Sequence, residues 1–288
     1  MSENDGLAPI RLVLHPTDFT ETSEQAFAHA LKIALASKTR LYILHADAGE
    51  REDVDWSAFP SVRQTLARWG VLPEGIARED VGRELGMHLA KLSTPDRDPV
   101  RAILRFVDEH STDLIVLATH GRDGVARLTH RAIAEPVARA AEIPTLFVPE
   151  GARGFVDGAS GTLRMRNVVF PIDHRPGPDA ALRETRRLCQ ALGLTGSALH
   201  LLHVGDGEMP AVTVDETEFR VTRIARSGGV VDEILALASE CEADLIAMAT
   251  AGHEGFLDAL RGSITERVLR QAPCPVLAVG ADREPEQP

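Results

Sequence analysis

Cysteine is scarce in this sequence. Its three copies, Cys189, Cys241 and Cys274, all fall in the second half and never in a CxxC spacing. That excludes a disulfide framework and predicts reduced thiols. Positive charge is also short. Lys and Arg number 31 against 43 Asp and Glu, for a formal net charge of -12. A chain so acidic lacks the basic surface needed for non-specific binding to nucleic acid or an anionic membrane. A small anion held by backbone dipoles is not excluded. No apolar run approaches the roughly 20 residues of a membrane span. The opening MSENDGLAPI is acidic and polar, unlike a secretory leader. A cytoplasmic protein is expected. No Walker loop, GxGxxG, Ser-His-Asp or Cys-His arrangement can be read from the spacing.

What is present is ordinary globular material, written twice. The 288 residues, 44% hydrophobic and 26% charged, suit about two domains. Val13-Leu14-His15-Pro16-Thr17-Asp18 is echoed by Val168-Val169-Phe170-Pro171-Ile172-Asp173. Thr112-Asp113-Leu114-Ile115-Val116-Leu117-Ala118-Thr119 matches Ala243-Asp244-Leu245-Ile246-Ala247-Met248-Ala249-Thr250. Ile143-Pro144-Thr145-Leu146-Phe147-Val148 matches Cys274-Pro275-Val276-Leu277-Ala278-Val279. The spacing between copies holds at 131 residues from residue 112 to residue 148.

Each copy reads as apolar runs alternating with helical stretches, among them 24–37 and 179–192. The runs are continuous rather than alternating, as in parallel strands covered on both faces. An open parallel sheet with right-handed crossovers follows, with ligands at the carboxyl ends of its strands. The expected domains span residues 1–150 and 164–282. A Gly-, Ala- and Ser-rich linker joins them over 151–163. The first copy carries an extra segment at about 47–81, with a short helix expected over 63–69. The tail from Asp282 reads as loose.

Asp18 and Asp173 stand just beyond the first strand of each copy. Such a carboxylate can accept hydrogen bonds from ribose hydroxyls or an adenine amine. It can equally cap the following helix. In the second copy, Met248-Ala249-Thr250-Ala251-Gly252 ends a strand, and Gly262-Ser263-Ile264-Thr265-Glu266 follows after nine residues. Gly252 and Gly262 allow close backbone approach to a ligand. Ser263 opens a capping box, so a helix should start there and offer its N–H groups to phosphate. An ordinary capped helix after a glycine loop is the plainer alternative. The first copy keeps Gly121 but has Arg131-Ala132 where the second has Gly262-Ser263. The favoured reading is a decayed site, with Arg131 pairing with Asp18 or filling the space.

The run from Val13 to Ser23 and the run from Gly262 to Val279 resemble the universal stress protein family. The resemblance covers both copies. Its nucleotide-binding branch carries Gly-x2-Gly-x9-Gly-Ser/Thr. The second copy reads Ala249-x2-Gly252-x9-Gly262-Ser263, and the first Ala118-x2-Gly121-x9-Arg131-Ala132. The resemblance implies two Rossmann-like α/β domains, each a five-stranded parallel sheet of order 3-2-1-4-5 with helices on both faces. It implies that they pair through their last strands as a pseudo-dimer, leaving a further homodimer open. It implies a stress-response protein binding ATP or AMP, with magnesium only as the nucleotide's companion. Pro171, Ile172 and Asp173 would then lie at the first strand end, with Asp173 on ribose or adenine. Val204, whose counterpart is Ala46, would line the adenine pocket. Met248 and Ala249 would border base and ribose. Gly252, Gly262, Ser263 and Ile264 would contact phosphate. Alanine at 249 is tolerable only where φ is negative.

Other readings stay open. Ser227-Gly228-Gly229-Val230-Val231-Asp232 imitates a pyrophosphatase loop but precedes the third helix, where Gly-rich turns are common. His15, His45 and His120 lie near strand ends and could converge on zinc. His253 and Glu254 are the nearest candidates for a hydrolytic base, and loop solvation is preferred for both. An interaction or scaffold protein with both sites vestigial is the principal alternative. At most slow ATP hydrolysis is expected.

Overall fold

The computed structural model describes residues 7–46, 54–96, 98–119, 137, 143–250 and 264–281. Gly121, Arg131, Ala132, Gly252, Gly262, Ser263, His120, His253, Glu254 and the tail lie outside these residues.

The first half contributes β1 (Leu12–Pro16), β2 (Arg40–Ala46), β3 (His88–Thr94), β4 (Leu114–Thr119) and β5 (Thr145–Pro149). The second contributes β6 (Asn167–Pro171), β7 (Ser197–Val204), β8 (Phe219–Arg226), β9 (Leu245–Thr250) and β10 (Val276–Gly280). All ten join one sheet, in the order β3-β2-β1-β4-β5-β10-β9-β6-β7-β8. Neighbours are parallel except β5 and β10, which pair antiparallel with Leu277 opposite Leu146. The fold is therefore α/β with a mostly parallel sheet. Its two halves follow the same strand order, mirrored about the β5–β10 seam.

The apolar runs alternate faces residue by residue, as the strand period requires. Val13 faces α1 (Glu21–Ser37), where Phe27 and Leu31 are fully buried. Leu12 and Leu14 face α4 (Pro99–Glu109) through Ile103 and Phe106. In the second half Val168 and Phe170 face α5 (Asp179–Ala191), and Val169 faces α6 (Val230–Glu240). Each such large side chain contributes about 1.5–3 kcal/mol by burial. α1 starts where Thr20 accepts from the Ser23 N–H, with Glu21 and Glu24 in its first turn. It stops at Lys38, in the left-handed region at φ 49°. A short helix, α7 (Ile264–Leu269), precedes β10.

Two aspartates fasten the repeat. Asp113 Oδ2 accepts the N–H groups of Arg11 at 2.9 Å and Leu12 at 3.1 Å, tying β4 to the start of β1. Its counterpart Asp244 accepts those of Arg166 at 2.7 Å and Asn167 at 3.1 Å. The remaining oxygens reach elsewhere in the chain. Asp113 pairs with Arg187 of α5, and Asp244 with Arg153. Asp113 and Arg187 thus couple the two halves by charge-assisted bonds.

The segment from 151 to 163 packs against the fold instead of merely spanning it. Phe155 and Val156 are buried, and Val156 bridges to Leu163. The His29 ring packs edge-on to Phe155, donates from Nδ1 to the Gln25 carbonyl and accepts the Val156 N–H at 3.3 Å. Gly154 lies so close that a Cβ would sit 2.4 Å from the His29 ring. The extra segment holds α2 (Val62–Arg68), near the expected bounds, and α3 (Arg78–Leu85). Its Trp69 donates to the Gly158 carbonyl, so these two stretches brace one another.

Candidate functional site

In the second half β6 lies between β7 and β9. The chain leaves β6 for β7 on one side and returns to β9 on the other. That is the switch point at which open parallel sheets leave a crevice. Three of the expected residues therefore stand at adjoining strand ends: Asp173 after β6, Val204 closing β7 and Ala249 near the end of β9.

Asp173 is exposed, and among the described residues its Oδ1 accepts just the N–H of the next residue, His174, at 2.7 Å. It is not a helix cap, since α5 begins at Asp179 behind Pro178. Pro171 is half-buried, and Ile172 is buried with its N–H bonded to the Leu202 carbonyl. His203 Nδ1 sits 3.3 Å from the Ile172 carbonyl and latches the end of β7 to that of β6. Val204 is half-buried, and the chain then turns through Gly205 at φ 154°. Met248 is buried and Ala249 half-buried. Ala249 lies in β9 opposite Val279 and has no positive φ, so alanine is unstrained there. Ile264 opens α7 and is 44% exposed. Gly252, Gly262 and Ser263 lie outside the described residues.

The first half repeats the plan and fills it. Asp18 Oδ1 accepts both the N–H and the hydroxyl of Thr20, so it braces the cap residue of α1. His45 Nδ1 lies 2.8 Å from the Thr17 carbonyl, the same latch that His203 makes. Phe19, at φ 67°, stacks on His45 with centroids 4.1 Å apart. Trp56 meets Phe19 edge-on at 5.3 Å, and Phe59 lies 6.0 Å from Phe19. The Lys91 ammonium lies over both Trp56 and Phe59, at 5.0 and 4.7 Å. Rings from the extra segment thus cover the ends of β1 and β2. In the second half His174 takes the place of Phe19, and its ring is 6.4 Å from His203. The sequence displayed Trp56 and Phe59 in the extra segment, but no spacing tied them to the strand ends.

Of the three histidines that could converge, His120 lies outside the described residues. No group of three or more potential ligands forms among the described residues. His15 is fully buried beside Phe27 and Phe59, with Nδ1 3.0 Å from the Val116 carbonyl. Burial pushes its pKa down to about 4, against a smaller raising effect of that bond. Its Nε2 has no hydrogen-bond partner among the described residues. The Ser227–Asp232 loop leads from β8 into α6, with Gly229 at the helix cap, so it occupies no first-strand position. Cys189 and Cys274 are free and buried, and burial pushes both thiols up to about 12.

Among the described residues no helix is long and apolar enough to cross a membrane. The model of the universal stress protein family matches residues 9–149 and 211–280. A universal stress protein of Methanocaldococcus jannaschii is 46% identical over 146 residues, 47% of this chain and 80% of that protein. A universal stress protein structure from Archaeoglobus fulgidus aligns at TM-score 0.58 and 19% identity, over 93% of this chain and 98% of its own. A functionally unknown protein of Pseudomonas aeruginosa aligns at 0.57 and 16%, over 95% and 93%. At such identities the structures attest the fold alone. Two matched regions, a close sequence relative and the shared sheet lead to one conclusion: this chain belongs to the universal stress protein family.

Proposed function

We propose that the chain is a stress-response protein whose second half binds an adenine nucleotide, ATP or AMP, while its first half does not. The observation that carries this reading is the contrast at the first strand ends. Asp173 is exposed, with one local bond among the described residues, whereas Asp18 is engaged in the turn before α1, where the next residue, Phe19, stacks on His45 and meets Trp56 edge-on. The two halves correspond to domains at 1–150 and 164–282. Their β5–β10 pairing serves as an intrachain dimer, and a further homodimer is compatible with it.

The residues fit the ligand's chemistry. Asp173 carries acceptor oxygens suited to ribose hydroxyls or the adenine amine. Val204 supplies half-buried apolar surface and a strand-end backbone for the base. Met248 and Ala249 border base and ribose, and extended backbone at Ala249 removes the objection to a missing glycine. Gly252, Gly262, Ser263 and Ile264 would cradle phosphate with backbone N–H groups at a helix start. Magnesium enters only with the nucleotide. The site is read as binding without turnover, so steady-state phosphate release should stay at background.

Mass spectrometry of small molecules released from the natively purified protein tests the reading. An adenine nucleotide, lost in Gly262→Arg, is the expected result. No nucleotide in the native protein, together with no calorimetric heat on adding ATP or AMP, leaves the scaffold reading.

A further inference from the structure

The extra segment of the first half does more than cover strand ends. Its outer side faces a cleft of about 1030 Å³, walled by residues 56–65 and Arg68, by Val81 and Gly82 of α3, and by Met87–Lys91 along β3. We propose that this cleft binds an extended acidic peptide of a partner protein, which adds a strand to the sheet beside β3.

Among the described residues β3 stands at one end of the strand order and pairs only with β2, so no described strand meets its outer backbone groups. Such an edge is a template for a further strand. Phe59, Val62, Val81 and Met87 lie buried behind the cleft. Its rim is cationic. Arg63 and Arg68 are exposed, and neither makes an ion pair among the described residues. Glu24 is the one carboxylate among the lining residues. This is unusual for a chain of net charge -12.

The other sheet edge gives the contrast. On β8, Arg223 pairs with Glu216, and Arg226 pairs with Glu233 and Glu240. Those two cations are matched from within, whereas Arg63 donates only to the Ile76 carbonyl among the described residues and both it and Arg68 line the cleft. An extended chain turns alternate side chains to opposite faces. A segment alternating acidic and apolar residues would thus turn its carboxylates to the side of the sheet that carries Arg63 and Arg68, and its apolar groups to the opposite side. A small anion would use the arginines and leave the strand edge unused.

The test uses the full chain and a fluorescein-labelled peptide of about ten residues alternating glutamate and valine. Anisotropy should report binding that weakens with added salt. Amide exchange should slow at Leu89–Lys91. A proline-interrupted peptide of equal charge, unable to pair as a strand, and a lysine–valine peptide should both fail to bind. Arg63→Glu with Arg68→Glu should weaken binding at least about tenfold. Failure of the acidic peptide to bind, equal binding by either control, or unchanged affinity in the folded double variant overturns the proposal. Self-association of the free protein that the double variant abolishes would give the cleft to a second copy and overturn it too.

Discussion

The two halves share a sheet plan, an aspartate staple and a histidine latch, yet differ at their strand ends. In the first half aromatic rings lie at the strand ends where the second half has an exposed carboxylate, Asp173. Shared features sit where they fasten strands: Asp113 and Asp244 on β-strand starts, His45 and His203 on strand ends. Divergent features sit in the turns after the first strands, which a rigid frame allows to differ.

Acid should separate the halves most. His15 and His29 are both fully buried in the first half, and burial pushes each pKa from 6.5 to about 4. Between those values the unfolded chain binds more protons than the folded one, so stability is full above pH 6.5 and falls as pH drops toward 4. Each histidine contributes about 3 kcal/mol to that loss. Both tryptophans, Trp56 and Trp69, are in the first half, so denaturant midpoints read by tryptophan fluorescence at several pH values report it. His15→Phe, which copies Phe170 of the second half, should remove about half of the pH dependence. A pH-independent midpoint would contradict the burial argument.

The staples should differ in degree. Asp244 is 3% exposed at its side chain and Asp113 22%. Asp244→Ala strands two backbone donors, while Arg153 keeps Glu242, and should cost about 2–5 kcal/mol in urea unfolding. Asp113→Ala, better reached by water, should cost less, about 1–3 kcal/mol. Equal costs would mean that burial does not distinguish the staples. Trp56→Ala should cost about 2 kcal/mol by lost burial. It should not create a second nucleotide site, because Arg131-Ala132 still replaces Gly262-Ser263. A second equivalent of bound ATP in Trp56→Ala would show that the rings alone close the first half. The smallest change is Ala249→Gly. It should lower stability by about 0.5–1 kcal/mol through backbone entropy and leave ATP affinity within about twofold.

Much of this was legible in the sequence because repetition made it so. The constant spacing through Asp113 and Asp244 exposed the doubled strand-helix pattern, and Pro-x-Asp marked both first strand ends. Hydrophobic runs foretold strands covered on both faces. Other features depended on contacts between distant segments, which no period records. Whether Asp18 and Asp173 were caps or ligand groups hung on hydrogen bonds to Thr20 and His174. The Gly-rich stretch after Gly151 read as a plain linker. Its glycines instead let it close on His29 and Trp69, two side chains far away in sequence. The edge-on contact of Trp56 with Phe19 likewise required the fold. The phosphate-loop residues Gly252, Gly262 and Ser263 are argued from sequence throughout.

The asymmetry of the halves is tested most directly by calorimetric titration of ATP into the native chain, Asp18→Ala and Asp173→Ala. The account predicts one bound ATP per chain, unchanged in Asp18→Ala and weakened about tenfold or more in Asp173→Ala. Two equivalent sites in the native chain, or loss of binding in Asp18→Ala instead, would contradict it.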